Sequence, residues 1–318
     1  MGIFRLSRFS ILSLCFSLGL IFGFFLSTDG LLRAAPAFKS DPVIMAAGDI
    51  ACDPKSPNFN GGKGTSDACK MMATAEVVLQ AKPTAVLALG DNQYERGELV
   101  NYQQSYDPSW GRFKGLTRPV PGNHEYYGNQ AEGYFKYFGK LAGDRTKGYY
   151  SYDLGNWHLV ALNSNCDAIG GCQTGSPQEQ WLKADLKKNK KACTLAYWHH
   201  PRFSSGVHGN QKIMDDIWKD LYAAKAELVL SGHDHLYERF APQGLTENAD
   251  PKNGIRQIVI GNGGKNLYPF KTIRANSEVR NNDTYGVLKV TLHPKSYDWD
   301  LMPIAGDRFT DKGTTLCH

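Results

Sequence analysis

The run from Ala85 to Tyr94 restricts the possible folds of this chain more than any other stretch. Ala85 to Leu89 is a short unbroken apolar run rich in β formers, the pattern of a strand buried on both faces. Burial then stops abruptly. Gly90 lets the backbone turn, and Asp91, Asn92 and Tyr94 offer oxygen atoms at the strand's carboxyl end. In open α/β sheets that end is where ligands bind. One carboxylate there can bridge two cations, which makes Asp91 the candidate centre of a two-metal site. A strand followed by a plain Asp-Asn turn is the other reading of this segment taken alone.

The same grammar recurs along the chain. Pro42 to Ala47 runs into Gly48 and Asp49; Arg118 to Pro121 into Gly122, Asn123, His124 and Glu125; Cys193 to Trp198 into His199, His200 and Pro201; Glu227 to Leu230 into His233, Asp234 and His235. A shared sheet edge would bring these distant residues into one crevice. Neighbouring strand residues point to opposite faces, so only one of His199 and His200 easily faces the site.

Between these runs the chain alternates with helical patterns. Asp67 can cap a helix with the stripe Met71, Met72, Ala75, Val78 and Leu79. Glu98 to Tyr106 reads as a polar helical segment, and Gln130 to Phe138 as an aromatic helix belonging to the core. Pro177 opens a helix carrying Trp181, Leu182 and Leu186. Gln211 to Ala224 forms another. Tyr149 to Asp153 and Trp157 to Asn163 form a hairpin across Leu154-Gly155-Asn156, in which His158 is a satisfied side chain rather than a ligand. Beyond Ile255 the pattern is mostly β. With no repeat and no dividing linker, the expected fold is α/β (α+β): two packed mixed β-sheets flanked by helices, with the metal site at strand carboxyl ends.

Residues 1–37 are read as a secretory signal. Arg5 and Arg8 precede the apolar stretch Phe9 to Leu26, and Ala35, Pro36 and Ala37 supply a small-residue cleavage site. A retained anchor is the alternative, since the stretch approaches the length of a membrane span. The expectation is therefore a single catalytic domain over 38–318 in an exported protein, periplasmic or extracellular, free or tethered. Removing the three arginines and one aspartate of the leader takes the formal charge from +5 to +3, too small a bias to argue for nucleic acid. Six cysteines remain, an even number that suits an oxidising compartment. Their number leaves many pairings open. Cys52–Cys69, Cys166–Cys172 and Cys193–Cys317 are the expected ones, with one or two buried thiols as the alternative.

Gly48-Asp49, Gly90-Asp91-Asn92 with Tyr94, Gly122-Asn123-His124-Glu125, His199 with Pro201, and Gly232-His233-Asp234-His235 resemble, in order, the five motifs of the calcineurin-like metallophosphoesterases. The purple acid phosphatase branch is the most similar. The resemblance runs from about Val43 to Phe240, with Gly261 to Gly264 similar to a later loop of that branch. It implies a four-layer sandwich, a first ion held by Asp49, Asp91, Tyr94 and His235, and a second held by Asp91, Asn123, His199 and His233. The choice of His199 over His200 rests on its spacing to Pro201, and His200 becomes structural or a hydrogen-bonder. The chain departs from the broad family at Ala51, where most members carry a histidine. Tyr94 fills that vacancy as a phenolate, and hard anionic oxygens favour Fe(III), while an amide with two imidazoles suits Zn, Fe or Mn.

The function so implied is phosphomonoester hydrolysis by direct attack of a metal-bound hydroxide on a small-molecule substrate. His124 is the candidate for protonating the leaving alcohol, or else orients its loop. His208, nine residues after His199, resembles a second phosphate-contacting histidine of plant-type relatives, or is an ordinary loop residue. The same site acting on phosphodiesters or nucleotides, and a secreted module that binds metal or phosphate without catalysis, are the alternatives. The sequence says nothing of oligomeric state.

Overall fold

The computed structural model describes residues 40–318; the leader read at 1–37 lies outside the described residues. Each apolar run named above becomes a strand: β1 (Val43–Ala47), β2 (Ala85–Leu89), β3 (Thr117–Val120), β4 (Tyr150–Leu154), β5 (Trp157–Ala161), β6 (Cys193–Tyr197) and β7 (Leu228–Ser231). After these come β8 (Tyr237–Phe240), β9 (Arg256–Ile260), β10 (Ser277–Asn281), β11 (Gly286–Leu292), β12 (Ser296–Pro303) and β13 (Lys312–Leu316). They form two mixed sheets, ordered β13-β12-β11-β1-β2-β3 and β10-β8-β9-β7-β6-β5-β4. Within the first, β1, β2 and β3 run parallel; within the second, β5, β6, β7 and β9 do.

Strand periodicity decides where the core lies. Leu195 and Tyr197 of β6, Leu228 and Leu230 of β7, and Ile258 and Ile260 of β9 join Leu87, Leu89 and Val287 in the core shared by both sheets. Their neighbours Ala196, Val229 and Val259 point the other way, under Leu182 of the Pro177–Lys188 helix and Ile217, Trp218 and Leu221 of the Asp215–Ala223 helix. Each fully buried Leu or Ile contributes about 2 kcal/mol in apolar transfer. The Met71–Ala81 helix covers the first sheet against β11 and β12. Helices therefore flank both sheets, as expected.

All three expected disulfides form: Cys52–Cys69, Cys166–Cys172 and Cys193–Cys317. Two local expectations are corrected. Asp67 does not cap the Met71–Ala81 helix, which starts from Lys70 with no side-chain cap. Cys69, bridged to Cys52, takes a left-handed φ of 65° and delays the helix by a turn, while the Asp67 carbonyl accepts from the Tyr285 hydroxyl at 2.6 Å. Glu98 to Tyr106 is not one regular helix: a single α turn, Leu99–Asn101, widens into a π turn over Tyr102–Tyr106. The aromatic segment is core, with its helix at Glu132–Phe138 and Tyr102 stacked on Tyr137 at 4.8 Å between ring centroids.

His158 is satisfied on both sides, by Asp153 at 2.9 Å and Asp185 at 2.8 Å. Burial opposes its charge, but the two carboxylates more than offset this and raise its pKa above the ordinary value. A raised folded-state pKa gives stability that is present in full below about pH 6.5 and lost as pH rises through the folded value. His158→Gln is therefore expected to cost about 1–2 kcal/mol at pH 5.5 and clearly less at pH 9, read from urea unfolding midpoints. An equal loss at both values would refute the charged pairing.

Candidate metal centre

The carboxyl ends of β1, β2, β3, β6 and β7 point into one crevice between the sheets, and each delivers a motif residue two or three positions beyond its last strand residue. Three of these residues, Asp49, Asp91 and His233, hold left-handed φ values of 60°, 46° and 73°. Such strain in non-glycine residues clusters at functional sites. Here it turns the side chain off the strand's pleat and into the crevice.

The seven candidate ligands fall into two sets. In the first, the Tyr94 hydroxyl lies 2.9 Å from Asp49 Oδ1, 3.2 Å from Asp91 Oδ2 and 2.9 Å from His235 Nε2. His235 Nε2 is also 3.3 Å from Asp49 Oδ1. In the second, His199 Nε2 lies 3.3 Å from Asp91 Oδ2, 3.1 Å from Asn123 Oδ1 and 3.2 Å from His233 Nδ1. Asp91 Oδ2 is the atom common to both. The other carboxylate oxygens are held by backbone amides: His233 N–H donates to Asp49 Oδ2 at 2.8 Å, and His124 N–H to Asp91 Oδ1 at 2.9 Å.

Whether these atoms suit cations is decided by what the outer atoms do. His199 Nδ1 donates to the Leu89 carbonyl at 2.9 Å, and His235 Nδ1 to the Asn266 carbonyl at 2.7 Å. In the neutral rings each Nε2 then carries a lone pair, aimed at carboxylate, amide or phenol oxygens. The Asn123 amide donates to the Tyr127 hydroxyl at 2.9 Å, which turns its oxygen toward His199. The Tyr94 O–H can donate to only one of the atoms around it, and the remaining converging lone pairs repel unless protons or cations lie among them, so the donor set fits two metal ions. Charge tells the same story. Burial disfavours a charged His199, yet Asp91 pulls its pKa up to about 9, so the acidic excess recruits whatever positive charge is at hand. Burial, with Asp49 and Asp91, pushes the Tyr94 phenol well above its usual range, and a phenolate there requires a highly charged cation.

The remaining expected residues divide. His124 Nδ1 lies 2.7 Å from the Glu95 carbonyl, its ring packs on Tyr94 at 4.3 Å, and its Nε2 faces Asp91 Oδ2 at 3.9 Å. The His208 ring sits 4.1 Å from that of His233, at the edge of the crevice. His200 is a hydrogen-bonder, with Nδ1 2.8 Å from Ser164 Oγ; burial and the charge of His199 drive its pKa down to about 3. Asn92, offered above as an oxygen donor, instead turns its amide to the Val120 carbonyl at 3.0 Å and ties β2 to β3.

Sequence reasoning missed the supports. Glu125 is fully buried and accepts from Gly122 N–H at 2.7 Å, Gln93 N–H at 3.2 Å and the Tyr102 hydroxyl at 3.0 Å, so it clamps two ligand loops together. Burial and the nearby Asp91 charge raise its pKa to about 7. Tyr268 stacks on His235 at 3.9 Å and 9°. Asp234 accepts from His208 N–H at 3.0 Å and from the Ser204 hydroxyl, holding the loop that bears His208. Only Glu125 and Asp234 carried a signal, as acidic residues inside the motifs.

Gly90 shows how tightly the ligands are packed. Its φ is 87°, and a Cβ there would lie 2.6 Å from His199 Nδ1. Gly90→Ala combines left-handed strain with loss of the bond that orients His199. It is expected to destabilise the protein by about 2–4 kcal/mol and to strip metal from the His199 side, measured by thermal unfolding and elemental analysis. Unchanged melting with full metal content would contradict this packing.

With the geometry in hand, comparison with known proteins defines the class. Residues 42–237 match the family model of the calcineurin-like phosphoesterases, and the chain belongs to that family. Within it, the chain is similar to purple acid phosphatases. It is 30% identical to probable purple acid phosphatase 20 of Arabidopsis thaliana over 191 residues, 52% of this chain and 43% of that one. It is 25% identical to probable inactive purple acid phosphatase 9 of the same plant over 287 residues, 76% of this chain and 43% of that one. The structure of purple acid phosphatase PPD1 from yellow lupin seeds superposes with a TM-score of 0.70 at 18% identity, covering 87% of this chain and 54% of that one, and shows the same fold. The chain thus spans about half the length of these relatives.

Proposed function

We propose that the chain is an exported phosphatase holding two ions: a trivalent iron on Asp49, Asp91, Tyr94 and His235, and a divalent Zn, Fe or Mn on Asp91, Asn123, His199 and His233. The carrying observation is the pair of donor sets meeting at Asp91 Oδ2, each with imidazole lone pairs turned inward by a carbonyl behind the ring. A bound metal pair supplies a water acidified to near-neutral pKa and positive charge that offsets charge developing on a phosphoryl group.

The chain's own residues do the rest. Asp91, buried between the sets, fixes their spacing. His124, with Nδ1–H on the Glu95 carbonyl, has Nε2 as the atom that can carry a proton to the leaving alcohol. Tyr94 and Tyr127 hold its ring between them, at 4.3 and 4.8 Å. His208 is the candidate for donating a hydrogen bond to a phosphate oxygen, a role supported by its ring lying 4.1 Å from that of His233. Export is supported by the three disulfides, which suit an oxidising compartment.

The test is elemental analysis of the purified protein, followed by rates on phenyl phosphate and on its diester. About two metals per chain with faster monoester cleavage is the expected result; a strong diester preference would overturn the monoesterase reading. A non-catalytic reading draws on the relative named probable inactive purple acid phosphatase 9. It would be established by fully metallated protein that turns over neither ester.

A further inference from the structure

A cavity of about 270 Å³ opens directly beside the centre. Asn123 and His200 form the wall it shares with the candidate ligands. The opposite walls are Tyr126 and Tyr127, from the turn after β3, and Ile213, from the turn before the Asp215–Ala223 helix. The loop closed by Cys166–Cys172 completes it with Asp167. Tyr127 and Ile213 are 53% and 43% exposed, so the lip presents an aromatic ring and a branched alkyl group to whatever enters.

Charge narrows the occupant. Among the described residues, Asp167 is the one charged side chain lining the cavity, and no lysine or arginine lines it. Asn123 is both a candidate ligand and part of the cavity wall, so this cavity offers an open wall to the alcohol portion of a phosphoester held among the ligands. The volume lies at the small end of ligand pockets, which run from roughly 300 Å³ upward, and matches one ring-sized group. A ring would gain contact with Tyr127 and Ile213. A second phosphate in the same place would meet a carboxylate and no cation.

We propose, resting on the phosphatase reading above, that this cavity receives the leaving alcohol and selects phosphomonoesters of uncharged aromatic alcohols against those whose alcohol portion carries further phosphates. Ile213 and Asp167 set the preference. Both side chains are exposed, so their replacement is expected to leave the fold and the centre in place.

The experiment compares kcat/KM on methyl phosphate, phenyl phosphate and inositol hexakisphosphate for the metallated wild type, Ile213→Ala and Asp167→Lys. Ratios to wild type cancel the intrinsic reactivity of each ester. Ile213→Ala is expected to lose about three- to tenfold on phenyl phosphate and to stay within about twofold on methyl phosphate, whose alcohol is too small to reach the wall. Asp167→Lys is expected to gain about tenfold on inositol hexakisphosphate at low salt, shrinking as salt screens the added charge. Equal changes on methyl and phenyl phosphate, or none on any ester, would overturn the assignment while the phosphatase reading stands. A wild type that cleaves none of the three would sink both.

Discussion

Replacing Asp91 with Asn is expected to lower kcat/KM on an aryl phosphate at least about a thousandfold, or some 4 kcal/mol of transition-state stabilisation, while leaving the fold intact. Asn retains an acceptor for His124 N–H, which Asp91 Oδ1 now satisfies at 2.9 Å. At the position of Oδ2 it presents an NH2 group instead of a half-charge. That group can donate to His199 Nε2, now 3.3 Å away, and to the Tyr94 oxygen at 3.2 Å. The converging lone pairs are then satisfied by protons. Metal content should fall for both ions together, because Oδ2 is the only oxygen shared by the two sets. Elemental analysis beside steady-state rates decides it: near-normal turnover with both ions present would remove Asp91 from the bridging position.

Tyr94→Phe carries the second-largest effect, and it is spectroscopic as well as catalytic. If a phenolate on trivalent iron lies behind the site, the purified protein has a visible charge-transfer band that vanishes in the variant. The variant also leaves Asp49 Oδ1 and His235 Nε2 without the hydroxyl that now lies 2.9 Å from each. Metal-free protein should lose about 1–3 kcal/mol of stability, the cost of removing the one O–H proton that serves this buried pair. Activity should fall at least about tenfold as the trivalent ion is released. A colourless wild type with full activity would replace iron with another metal pair while leaving the donor geometry untouched.

Much of this site was legible because its information is local. An apolar run ending in a ligand, with a glycine before the ligand at every end except that of His199, is a pattern a few residues long. Five repetitions of it, at Asp49, Asp91, Asn123, His199 and His233, imply a common sheet edge. The strands that went unread, β8, β10 and β13, show the limit. Ser277–Asn281 and Lys312–Leu316 lie at sheet edges, where one side of the ladder is free and few side chains are buried, so they carry no apolar signature. The π turn over Tyr102–Tyr106 is equally silent locally, because it places Tyr102 against Glu125, a residue 23 positions away.

The histidines draw the same line more sharply. Strand parity in the sequence says only that one of His199 and His200 faces the site, and the spacing to Pro201 favours His199; the structure supplies the phase, with Leu195 and Tyr197 in the inter-sheet core and position 199 continuing it. Which nitrogen of His199 faces the crevice is decided by the Leu89 carbonyl, 110 residues earlier in the chain, and for His235 by the Asn266 carbonyl. The amino-acid order alone determined the elements, the edge where they meet and the kinds of donor gathered there, because periodicity and turn chemistry act over a few residues. The tertiary structure decided which atom of each donor points inward, which carboxylates brace the loops, and what cavity lies beside the centre. Those depend on contacts between segments that only packing brings within hydrogen-bonding distance.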